Sequence, residues 1–212
     1  MRSTLPDPSN PNRSAPESPP IAWAPASGLG YDACALDSSS AGWRLEGALW
    51  RELERGRFSL RYRVLCDSRW ATRAVHLEQE WLGDAHSLQL TSDNFQHWWM
   101  SGEVRSDLTG CLDVDISLTP ATNILPIRRL ALSLGEEKDV DVVWIRLPER
   151  EVTRARQSYL RLGVDLYRFR SQNSGWESVI RVRGDGMVMD YPGGWVLASA
   201  DGRMGTMAPP RS

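Results

Sequence analysis

Apolar and polar residues alternate with period two along most of the middle of this chain. In GRFSLRYRVLC, Phe58, Leu60, Tyr62 and Val64 alternate with Ser59, Arg61 and Arg63. In CLDVDISL, Leu112, Val114, Ile116 and Leu118 alternate with Asp113, Asp115 and Ser117. Successive side chains on a strand point to opposite faces, so such runs predict strands with one buried face. RLALSL puts Leu130, Leu132 and Leu134 on one face, VDVVWIRL and YRFR continue the theme, and WESVIRVRGDGMVMDY predicts a hairpin with Gly-Asp-Gly at its tip. Turn signals at Cys66-Asp67-Ser68, Leu82-Gly83-Asp84, Ser101-Gly102 and Gly193-Gly194 separate the runs. Only EREVTRARQSYLRL predicts a short helix. The pattern is that of an all-β protein: a curved, mostly antiparallel sheet of about a dozen strands, forming an unclosed barrel or a sandwich. A faint internal echo relates Tyr62-Arg63-Val64, with Trp70 after it, to Tyr167-Arg168-Phe169, with Trp176 after it.

The two ends depart from this pattern. Residues 1–20 are rich in Pro, Ser and Asn and predict a disordered tail; residues 200–212 predict a second one. Residues 21–199 remain as a single all-β domain. With 41% hydrophobic residues in 212, that stretch can build a core without disulfides or metals. The 25 basic and 27 acidic residues nearly cancel, which argues against binding nucleic acid through its phosphates. Cys34, Cys66 and Cys111 are odd in number and lack metal or disulfide spacing, and residues 1–20 lack an apolar leader, so the expected location is the cytoplasm. No run approaches the roughly 20 apolar residues of a membrane helix.

Candidate chemistry concentrates in CLDVDISLTPATNILPIRRL, residues 111–130. On an extended strand Asp113, Asp115, Ser117 and Thr119 share a face. If PATNILP is a turn and the chain returns antiparallel, Arg129 can meet an aspartate in a bidentate pair. That pair could set strand register, line a pocket with Arg128 and Asn123, or belong to a hydrolase. Residues i and i+2 on a strand lie about 6.6–6.8 Å apart, so Asp113 and Asp115 could serve as paired carboxylates. Aromatic residues are the better lead for binding, since their flat apolar faces and polar tips suit an amphipathic ligand. Tyr159, Tyr167 and Tyr191 are candidates, as is Trp98, whose neighbour Trp99 must point to the opposite side of a strand. His76, His86 and His97 match no metal-ligand spacing, and no motif for a cofactor is present.

The run SDLTGCLDVDISLTPATNILPIRRL resembles the signature of the bacterial putative glycolipid-binding family. GWRLEG, FSLRYRVLCDSRWATRAV, WIRLPE and MVMDYPGGW extend the likeness over roughly residues 20–197. The resemblance implies a fold similar to lipoprotein-carrier and mycobacterial glycolipid-carrier proteins, in which a curved antiparallel sheet wraps an apolar cavity. The expected function is non-catalytic binding of a glycolipid or another acylated molecule, with its chain along the concave sheet. The expected ligand contacts are Asp113, Asp115, Thr119, Asn123, Arg128, Arg129, Tyr159, Tyr167, Tyr191 and Trp98. A hydrolase using Asp113 and Asp115, or an interaction module that oligomerises without a small ligand, are the alternatives.

Overall fold

A computed structural model describes residues 19–199. The disordered tails expected at 1–20 and 200–212 lie, apart from residues 19 and 20, outside the described residues. The chain forms two sheets. The larger has nine strands: β1 (Ile21–Pro25), β2 (Gly30–Ser39), β3 (Gly42–Leu53), β4 (Gly56–Cys66), β5 (Thr72–Trp81), β6 (Asp84–Ser92), β7 (Trp98–Met100), β8 (Glu103–Val104) and, beside β1, β15 (Trp195–Ser199). The smaller sheet curls into a half-barrel with the order β14 (Val188–Asp190), β13 (Glu177–Val182), β12 (Leu166–Ser171), β11 (Glu151–Arg161), β10 (Glu137–Arg146) and β9 (Asp113–Ile116). All pairings are antiparallel except β9 with β10.

Period two explains the larger sheet directly. Register aligns Leu36, Leu45, Val64, Val75 and Leu90 in one row across five strands, all on the inner face. A second inner row runs Cys34, Gly47, Tyr62, Leu77 and Leu88. Gly47 is there because a Cβ would lie 2.3 Å from the Tyr62 ring and hydroxyl. The echo noted in the sequence is two hairpins, β4–β5 and β12–β13, which belong to different sheets.

Three expectations are corrected. The predicted helix at EREVTRARQSYLRL is strand β11. It pairs with β10 over ten positions, Glu137 with Leu160 through Arg146 with Glu151, and that long ladder overrides local helix propensity. The PATNILP turn is instead a 3-10 turn, Ala121–Asn123, running into helix α1 (Ile124–Leu130). Pro126 is tolerated in a first helical turn, and Ala131, at φ 45° in the left-handed region, ends the helix. RLALSL is therefore no strand: Leu130 closes α1, Leu132 is buried, and Leu134 is 72% exposed.

The inner face of the nine-stranded sheet is filled by the protein itself. Val114, Ile116, Ile124, Leu125, Val143 and Ile145 pack into one core cluster with the inner rows. A second cluster, with Ile127, Tyr159, Tyr167 and Phe169, occupies the inner face of the half-barrel. A ligand channel along that inner face is thus closed, because β9, β10 and α1 supply the apolar surface that would otherwise face a ligand.

Candidate ligand-binding site

Strand β9 has two chemically different faces. Val114 and Ile116 enter the first core cluster, while Asp113 and Asp115 face the inside of the half-barrel. The two aspartates then part company. Arg129 grips Asp113, with Nε 2.9 Å from Oδ1 and Nη2 2.5 Å from Oδ2. The expected Asp–Arg contact therefore forms, but it comes from helix α1 rather than a returning strand. Asp113 has no exposed surface; burial pushes its carboxyl up while Arg129 pulls it toward the charged form.

Asp115, half-buried, takes a different set of partners. It accepts a hydrogen bond from Gln157 Nε2 at 2.5 Å and a longer one from the Thr122 hydroxyl at 3.4 Å. Burial raises its carboxyl to about 6, against the opposing pull of Gln157 and Thr122. Behind it Tyr159 donates to Asn123 Oδ1 at 2.9 Å and contacts Gln157 Oε1 at 3.3 Å, so the carboxylate sits on a braced polar layer.

Asp115 opens into a cleft of about 200 Å³ lined by five aromatic residues. Trp144 comes from β10, Phe169 from β12, Trp176 from the turn before β13, Tyr191 from the bend after β14, and Trp195 from β15. Trp176 donates its indole N–H to the Tyr191 hydroxyl at 3.2 Å, and Phe169 meets Tyr191 edge to face at 6.1 Å. Ser117, Thr119, Asn123, Ser171 and Ser174 add polar atoms to the walls.

The 117–119 wall is held from below. Thr119 Oγ1 donates to Asp32 Oδ2 at 2.5 Å, and the Tyr62 hydroxyl donates to Asp32 Oδ1 at 3.1 Å. Burial raises the Asp32 carboxyl to about 7, more than the two hydroxyls lower it. Leu118 adopts a φ of 68°, unusual for a residue with a side chain. Thr119 pins it on one side. On the other, Ser117 accepts from the Leu147 N–H and donates its own N–H to Ile145. Strain of this kind persists only where the surroundings over-determine it.

Of the residues expected from sequence to meet a ligand, Asp115, Thr119, Asn123 and Tyr191 line this cleft. Tyr159 lies one layer behind, Tyr167 is in the half-barrel core, and Trp98 is fully buried in the other cluster, donating to the Cys111 carbonyl at 3.0 Å. Asp113 does not line it, so the two carboxylates are not paired across one cavity. Arg129 opens on a different side, and Arg128 is exposed with its guanidinium 5.3 Å from the Trp70 ring centroid. Sequence reasoning missed Trp144, Trp176 and Trp195, whose only signal was the count of 10 tryptophans, and Asp32, which carried none. Among the described residues no group of three or more His, Cys, Asp and Glu side chains could hold a metal ion, and no helix is long and apolar enough to cross a membrane.

Two packed sheets, a half-barrel plugged from within and an aromatic cleft at its mouth define a β-sheet protein of the unclosed-barrel class. The chain belongs to the family described as putative glycolipid-binding, whose model matches residues 20–196. It is also similar to the crystal structure of a DUF1089 family protein from Pseudomonas aeruginosa, with 32% identity and a TM-score of 0.71 over 81% of this chain and 92% of that one. Comparison with the curated proteins gave no match.

Proposed function

We propose that this protein binds the saccharide headgroup of a glycolipid, without catalysis, in the aromatic cleft beside Asp115. One observation carries the reading: five aromatic side chains, from three strands and two connecting segments, line one cleft with a carboxylate that is itself braced by an amide and a hydroxyl. Aromatic faces match the C–H faces of a pyranose ring, and a carboxylate accepts from sugar hydroxyls. A volume of about 200 Å³ falls below the roughly 300–1,000 Å³ of sites for drug-sized ligands, so the cleft suits a ring-sized headgroup rather than an acyl chain. The chain of the ligand accordingly stays outside the filled inner face of the nine-stranded sheet. The proposed location is the cytoplasm, supported by three buried cysteines that are all free.

The test is a calorimetric titration with methyl and octyl glycosides of common hexoses, on the wild type and on Trp176→Ala. Trp176 is 42% exposed, so its loss spares the core. Binding is expected to weaken roughly fivefold or more in the variant, the equivalent of about 1 kcal/mol of ring contact. A wild type that binds no glycoside, or a variant that binds as well, refutes the proposal.

A further inference from the structure

At the opposite end of β9 from the aromatic cleft, a separate depression of about 580 Å³ is lined by Arg69, Arg73 and Arg129, with Ser68, Asn94 and Gln96 at its walls. Two of the three guanidiniums are fixed by carboxylates. Asp113 grips Arg129 through Nε and Nη2, which leaves Nη1 without a protein partner among the described residues. Asp67 holds Arg73 through Nε at 3.1 Å and Nη2 at 2.5 Å, while Nη1 donates to the Asp93 carbonyl. Asp67 also accepts the N–H groups of Arg69 and Ala71, at 2.9 and 3.0 Å, so one carboxylate orders both the loop and an arginine. The third side chain, Arg69, makes no hydrogen bond or ion pair among the described residues. Arg128 adds a further cation at the edge, stacked over Trp70 of the same loop and unpaired with any carboxylate there.

Counting charges around this loop, Arg69, Arg73, Arg128 and Arg129 face Asp67, Asp113 and Asp93, an excess of one positive charge. Asp93 in turn accepts from His97 Nδ1 at 2.9 Å and from the N–H groups of Phe95 and His97, so its carboxyl is already engaged. A buried ion pair contributes little net stability relative to an apolar pair of the same shape. Two arginines held rigid by carboxylates beside an uncommitted third are better accounted for as a pre-positioned anion receptor. A guanidinium fork matches the oxygens of a carboxylate or a phosphate. Arg69 offers a whole fork, Arg129 its remaining Nη1 and Asn94 a side-chain amide, while Arg73 adds charge with its nitrogens already engaged. Donors from three separate segments suit the several oxygens of a phosphate better than the two of a carboxylate.

We infer that this arginine-lined cleft is a second binding site, for a phosphate group, distinct from the aromatic cleft and independent of it. The phosphate can come from a lipid headgroup or from a soluble phosphate ester, and the experiment separates the two. Inorganic phosphate is titrated calorimetrically at low ionic strength into the wild type, Arg69→Gln, Trp176→Ala and, as a surface-charge control, Arg61→Gln. The same proteins are sedimented with vesicles of phosphatidylglycerol and of phosphatidylcholine.

Arg69→Gln is expected to weaken phosphate binding about tenfold or more, the loss of one charge-assisted hydrogen bond, while Trp176→Ala and Arg61→Gln bind as the wild type does. Because Arg69 is exposed and its side chain makes no hydrogen bond or ion pair among the described residues, the variant should fold with an unchanged melting temperature. Phosphate binding together with preference for phosphatidylglycerol, both lost in Arg69→Gln, identifies a lipid headgroup. Phosphate binding without vesicle binding identifies a soluble ester. No phosphate binding by the wild type, equal binding by Arg69→Gln, or an equal loss in Arg61→Gln overturns the inference. A failure of glycoside binding in the aromatic cleft leaves it standing.

Discussion

Replacing Arg129 with alanine would leave the Asp113 carboxyl with no exposed surface and no guanidinium beside it. The wild-type pair buries Asp113 completely and leaves the Arg129 side chain 16% exposed, so the carboxylate depends on the arginine rather than on solvent. Two outcomes are open to the carboxyl, and both are costly. It can remain charged, in which case breaking a buried pair costs roughly 3–5 kcal/mol. It can instead take up a proton, and holding an ordinary aspartate neutral at pH 7 costs about 4 kcal/mol. Total stabilities of single domains run to about 5–15 kcal/mol, so a loss near 4 is a large fraction.

The protonation route adds a pH signature. A carboxyl held neutral in the folded state has a folded pKa above its unfolded one. Its contribution is therefore fully present below the unfolded value, near 3.9, and is lost as pH rises through the folded value. The deficit of Arg129→Ala should accordingly shrink from about 4 kcal/mol at pH 7 to about 1.5 kcal/mol at pH 5. Urea titrations of wild type and variant at both pH values, followed by tryptophan fluorescence, provide the assay. A deficit under about 1 kcal/mol at pH 7, the range of an exposed ion pair, would refute the burial argument. A deficit of 4 that does not change between the two pH values would instead mean that Asp113 stays charged.

Asp32 carries a related prediction with the partner removed from the argument. Its carboxyl is raised by burial from 3.8 to about 7, so the folded protein is destabilised as pH climbs through that window, by about 4 kcal/mol in all. Asp32→Asn, which can still accept from Tyr62 and donate to Thr119, should flatten the stability profile between pH 4 and pH 7 as measured by urea midpoints; a slope equal to that of the wild type would contradict it. Gly47→Ala places a Cβ 2.3 Å from the Tyr62 ring and hydroxyl and 2.8 Å from the Ala33 carbonyl oxygen. Overpacking of this kind costs about 1–3 kcal/mol, so thermal unfolding should shift downward, and an unchanged melting temperature would contradict it.

The class of fold was legible because period two survives in the strongest strands. Phe58, Leu60, Tyr62 and Val64 all turn inward on β4 as their spacing implies, and the Gly-Asp-Gly hairpin sits between β13 and β14. The contact between Asp113 and Arg129 was legible too, since their separation of 16 positions allows either a strand return or a short helix to bring them together. What local pattern could not decide was which of those routes the chain takes. Ile124, Leu125, Ile127 and Leu130 fit a helix, while Leu130, Leu132 and Leu134 fit a strand. The choice fell to the helix because its apolar side chains fill the space between the two sheets. Likewise, residues 151–161 carry good helix formers yet lie in a ladder whose partner strand is supplied by another part of the chain.

The aromatic cleft depended wholly on tertiary structure. Trp144, Phe169, Trp176 and Trp195 lie on separate elements, and each alone reads as an ordinary core residue. Asp113 and Asp115 show the limit most clearly: two aspartates with the same spacing, strand and face were divided between a salt bridge and a cleft. The reason is physical. Alternation along a strand is a local property, set by backbone geometry, and so the sequence by itself determines which face a side chain occupies. Which surface that face meets depends on packing between segments far apart in the chain, and only the folded structure decides it.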